Sequence, residues 1–73
     1  MKTPEQMVAD AKQVGSRRSA EYWRGALDVL RYRIHGERIE CPYQEGTVQF
    51  DAYFAGSDRG HGLWRAHREG APA

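Results

Sequence analysis

Seventy-three residues make a single domain, residues 1–73, and a chain this short buries only about 60% of its unfolded surface, so its core is thin. A lone cysteine excludes the disulfide-stapled secreted class, and no apolar run approaches the roughly 20 residues of a membrane span. Net charge is +1 and the opening Met1-Lys2-Thr3-Pro4-Glu5 lacks an apolar signal region, so a cytoplasmic protein without membrane contact is expected.

The first element is a short helix within residues 1–15. Thr3 is a natural cap, Pro4 suits the first helical position, and Gln6 stands where a capping box needs it. Met7, Val8, Ala11 and Val14 fall on one stripe, and Gly15-Ser16 is the expected stop. Alone, a helix of this length is marginal, so it is expected to dock on the rest or to fray.

A second helix spans 16–36, with Ser16 or Ser19 as cap and Gly36 as stop. Its apolar stripe is Ala20, Trp23, Leu27, Leu30 and Ile34, widened by Ala26 and Val29. Arg17, Arg24, Arg31 and Arg38 recur every seven residues on the other side. Glu21 and Asp28 alternate with them at spacings that favour local ion pairs.

Residues 37–46 form a connector centred on Cys41-Pro42-Tyr43, where the proline withdraws an amide and extends the residue before it. Thr47 then caps a third helix over 47–69, with Phe50, Phe54, Ser57 and Trp64 sharing a face. Val48, Phe50, Ala52 and Phe54 also alternate with polar neighbours as a strand would, but helix is the reading adopted. Gly56, Gly60 and Gly62 make 56–62 the place where that helix would break.

One internal echo links the halves. Tyr22-Trp23-Arg24-Gly25 matches Tyr53-Phe54-Ala55-Gly56, each pairing adjacent aromatics with a glycine three residues after the tyrosine. On antiparallel helices such a glycine admits the partner backbone while the aromatic fills the space beside it, so the motif reads as two halves of a helical hairpin. The expected fold is all-α: an antiparallel helical hairpin joined by the Cys-Pro-Tyr connector, preceded by a short helix.

Chemistry-bearing candidates are few. His35, Cys41, His61 and His67 match no usual zinc spacing, so neither metal nor cofactor is expected. Nucleophilic catalysis by Cys41 would need a base such as His35 and a formed cleft, and a core this thin leaves little room for a pocket. No small-molecule substrate and no enzymatic activity are therefore expected. Arginine supplies nine of the eleven basic residues, the side chain suited to bidentate phosphate or carboxylate contacts. Arg17, Arg18, Arg24, Arg31, Arg33 and Arg38, with Tyr22 and Tyr32 among them, form the candidate surface for RNA or another partner. Glu40 to Asp58, by contrast, carries four acids and no basic residue.

Tyr22 with Gly25, then Cys41-Pro42-Tyr43, then Tyr53 with Gly56 make a sequence that resembles the ribosome modulation factor family in the order of its motifs. Relative to that family the first interval is longer by about two helical turns and the second by about one, which keeps the same faces in register. The likeness covers residues 20 to about 66 and leaves the first helix outside it. Membership would imply stoichiometric binding to the ribosome or its RNA. The physical role expected of the tripeptide is structural, with Cys41 and Tyr43 plugging the open end of the hairpin and Pro42 fixing the connector. The alternative, resting on the near-neutral charge and the acidic middle, is a protein-binding inhibitor or adaptor. Such a protein would be homodimeric or would block a host protein on behalf of a phage or mobile element.

Overall fold

A computed structural model describes residues 2–14 and 17–68 and contains three helices, α1 (Pro4–Gln13), α2 (Ala20–His35) and α3 (Val48–Arg68), with no strand among those residues. The all-α class follows directly. None of the described helices is long and apolar enough to cross a membrane.

The capping box starts α1 as the sequence implies. The Gln6 amide donates to Thr3 Oγ1 at 3.1 Å and the Thr3 amide donates to Gln6 Oε1 at 3.0 Å. Met7, Val8 and Ala11 are buried, but Val14 is the C-cap and stands exposed, so the stripe is one residue shorter than expected. The expected stop at Gly15-Ser16, and Ser16 as a cap, lie outside the described residues. Ser19 takes that role for α2, its hydroxyl accepting from the Tyr22 amide at 3.2 Å. At the far end Gly36 adopts φ 72°, the left-handed conformation that only glycine takes cheaply.

The core is a cluster of Met7, Val8 and Ala11 from α1 with Tyr22, Trp23, Ala26 and Leu30 from α2. Leu63 and Trp64 of α3 close it at the side. Within α2 the buried face is Tyr22, Trp23, Gly25, Ala26, Val29 and Leu30, while Ala20 is exposed and Leu27 and Ile34 are half-buried. The inward face has therefore rotated toward the small residues, because α3 packs against them.

In α3 the rotation is larger. Tyr53, Gly56, Ser57 and Gly60 are buried, whereas Phe50 is half-buried and Phe54 is exposed. The expected face of Phe50, Phe54, Ser57 and Trp64 was too far round the helix. The helix also runs unbroken through 56–62, because two of its glycines are used for packing. A Cβ on Gly25 would meet the Tyr53 carbonyl, and a Cβ on Gly56 would meet the Tyr22 carbonyl. This is the reciprocal aromatic–glycine contact implied by the repeated motif.

Helix direction needs a correction. Gly56 lies on Tyr22 and, four residues on in both helices, the position of a Cβ on Gly60 is 2.7 Å from the Ala26 carbonyl. Beyond that, Arg33 reaches His61 and Trp64. Contacts thus ascend together along α2 and α3, as for helices that cross with their chain directions roughly aligned. An antiparallel pair would bring Arg33 near the start of α3. The physical reason is the connector: residues 36–47, extended, reach further than the ~24 Å length of a 16-residue helix and can carry the chain back to its beginning.

That return path places Cys41 and Pro42 beside Arg24 and Asp28, midway along α2, rather than at the open end of a hairpin. Tyr43 leans edge-on against Tyr53, with ring centroids 5.9 Å apart. Thr47 then opens α3, accepting from the Phe50 amide at 3.1 Å and donating to the Gln44 carbonyl at 2.7 Å.

Candidate functional site

Because the connector runs back along α2, it walls one side of a groove of about 550 Å³. Arg24, Arg31 and Arg38 line it from the α2 side and beyond, and Cys41 and Pro42 line it from the connector. Arg24 and Arg31 stand seven residues, about two turns, apart on α2 and so share this side, while Arg38 reaches the groove from the connector beyond the Gly36 stop. Asp28, Glu37 and Glu40 also reach the groove, giving it as many acids as arginines.

Each of these arginines has a carboxylate neighbour. Arg24 Nε donates to both Asp28 oxygens at 3.2 Å, the local pairing that the spacing implies. Asp28 is fixed further by the Tyr53 hydroxyl, which donates to it at 2.7 Å, and its side chain is only 12% exposed. Burial first, and then this bond to an anion, push the Tyr53 phenol far above the ordinary tyrosine value, so it remains a donor. Tyr53 itself is fully buried.

Arg31 turns to α1 instead of to a neighbour on its own helix. Its Nη2 and Nε donate to Glu5 Oε2 at 2.6 and 3.1 Å. Those bonds hold the Glu5 carboxyl below the usual carboxylate range. Arg38 faces Glu40 at 3.5 Å, both side chains being largely in solvent at 86% and 74% exposure. Exposed pairs of this kind contribute only about 0–1 kcal/mol, so they exchange readily with another anion.

The other candidate arginines lie elsewhere. Arg33 points to α3, its guanidinium 4.5 Å from the Trp64 ring centroid and donating to His61 Nδ1 at 3.3 Å. Arg18 stacks over Tyr22 at 5.0 Å, while Arg17 is exposed ahead of α2. The six arginines therefore do not line one side of a helix. Tyr22 is buried and not available for base stacking, whereas Tyr32 is about half exposed.

Tyr22, Gly25, Tyr53 and Gly56 meet at the helix crossing, with Tyr43 laid on Tyr53 and Cys41 in the adjoining groove. The Cys41 thiol donates to the Tyr43 carbonyl at 3.6 Å, which tightens the tripeptide. Asp28, which lines the groove, and Glu5, which does not line it but pairs with Arg31, are absent from the residues that the sequence pattern assigns to the site. Asp28 carried a signal in its spacing from Arg24, but Glu5 lies 26 residues from Arg31 and carried none. Among the described residues no group of three or more His, Cys, Asp and Glu side chains gathers as a metal site.

No family model, no curated protein and no solved structure matches this chain.

Proposed function

We propose that this protein is a non-catalytic cytoplasmic regulator resembling the ribosome modulation factors, acting by stoichiometric association with the ribosome or its RNA. The observation that carries this reading is the convergence of three separated motifs on Tyr53. The Tyr53 carbonyl abuts Gly25, its ring takes Tyr43 of the Cys-Pro-Tyr connector, and its hydroxyl reaches Asp28 of the groove. The resemblance rests on those motifs, and their mutual packing gives them a common structural purpose. Here the connector closes a pair of aligned, crossing helices rather than a hairpin. Beside it, Arg24, Arg31 and Arg38 present guanidinium groups of the kind that make phosphate contacts.

A second reading is favoured by two observations. The groove arginines are balanced by carboxylates, and Val48 and Phe54 stand 82% and 47% exposed on α3. Both suit a protein partner, as an inhibitor or adaptor would need. Affinity capture from cells followed by mass spectrometry separates the two. Ribosomal proteins recovered in stoichiometric sets support the first reading. A single non-ribosomal protein, with ribosomal proteins at background, would sink it and leave the second.

A further inference from the structure

The groove is built unevenly, and the unevenness has a use. Arg24 has a partner that is locked in place: Asp28 is nearly buried and is held by Tyr53 from the opposite side. Arg31 and Arg38 have partners that are not: Glu5 and Glu40 are 56% and 74% exposed, and no other side-chain hydrogen bond is found for either carboxylate among the described residues. A ligand anion entering the groove would leave the first pair intact and displace the other two.

Glu5 is also peculiar in origin. It comes from α1, the element outside the part of the chain that resembles the ribosome modulation factors. That helix has only ten residues, is marginal alone, and holds to α2 mainly through Met7, Val8 and Ala11. It nevertheless places a carboxylate oxygen 2.6 Å from the guanidinium of Arg31, a residue that lines the groove, so a phosphate oxygen binding Arg31 would compete with Glu5 for the same donors.

We propose that the groove beside the connector is a phosphate-binding site whose Arg31 and Arg38 exchange carboxylate for phosphate, with Glu5 the built-in competitor carried by α1. The phosphates are those of single-stranded RNA, so the proposal rests on the ribosomal reading above. α1 thereby tempers the affinity of a surface that would otherwise hold any polyanion.

The test is titration of the full chain at low salt with a short oligouridylate, and separately with uridine triphosphate as a free-phosphate source. Glu5→Gln is expected to bind oligouridylate about threefold more tightly than the unaltered protein, the worth of one exposed pair. Asp10→Asn removes the same charge from the same helix at the Lys2 pair and is expected to show no comparable gain. In an Arg31→Ala background, shown by circular dichroism to stay folded, the Glu5→Gln gain should vanish. Equal gains for Glu5→Gln and Asp10→Asn, persistence of the gain without Arg31, or no binding of either probe by Glu5→Gln would each overturn the proposal. A gain seen with uridine triphosphate alone would overturn the assignment to single-stranded RNA and give the site to small phosphates. Wild-type protein that ignores ribosomes while Glu5→Gln still gains affinity refutes only the ribosomal reading. Ribosome binding that is indifferent to both Glu5→Gln and Arg31→Ala refutes only the groove.

Discussion

Tyr53 joins the packing of the molecule to the groove. Its backbone abuts Gly25, its ring meets Tyr43, and its hydroxyl satisfies a nearly buried carboxylate. Tyr53→Phe keeps the ring and deletes the donor, so it is expected to cost about 1–3 kcal/mol in denaturant unfolding. The pH dependence follows from the raised phenol. A folded pKa above the unfolded value of about 10 means the stability from Tyr53 is complete below that pH and is lost as pH rises toward the folded value. Tyr53→Phe should flatten that alkaline loss, as read from unfolding midpoints across an alkaline series. Two glycines of α3 make an opposed pair. Gly56→Ala drives a methyl into the Tyr22 carbonyl and is expected to cost about 3 kcal/mol or more, much of the stability of a chain this size. Gly62 has nothing within 4 Å of where a Cβ would stand, so Gly62→Ala should gain about 1 kcal/mol. Thermal unfolding of the two variants should shift in opposite directions.

At the scale of elements, local signals were legible and mutual arrangement was not. The capping box at Thr3 and Gln6, the caps at Ser19 and Thr47 and the stop at Gly36 could all be read from residue types at fixed offsets. The reciprocal contact of Gly25 and Gly56 could be read from the repeated motif. Helix direction could not, because a reciprocal pair at a crossing point is compatible with either sense. Gly60 on Ala26 decides it, and that pairing has no counterpart in the repeat. The aromatics of α3 point to a face through Phe50 and Phe54, whereas close crossing buries the small residues Gly56, Ser57 and Gly60 beside Tyr53. Likewise, charge alone does not separate Arg33 from the groove arginines, whereas its position on α2 directs it to Trp64 and His61. The tie between α1 and α2 yields its own expectation. Glu5 titrates below the usual glutamate value, so its stabilising contact with Arg31 is present above that value and is lost as pH falls through the lowered one. Acidification should therefore loosen α1, seen as a change in Trp23 emission, and Glu5→Gln should remove that acid-side step.

For the molecule as a whole, three helices leave a core with little redundancy. Leu30 is fully buried where α1 and α2 meet, and Leu30→Ala is expected to cost about 2–5 kcal/mol, enough to unfold much of the population at physiological temperature. Among the described residues α2 and α3 make a close crossing beside an arginine-lined groove. If that surface serves the ribosome, the association is electrostatic in part and must weaken with salt. Sucrose-gradient sedimentation of the purified protein with ribosomes, at low and then at raised ionic strength, examines this directly. The expected result is comigration with ribosomal particles at low salt, saturating near one chain per particle and diminishing as salt rises. Protein that remains at the top of the gradient at low salt, with intact ribosomes below it, would contradict the proposed function.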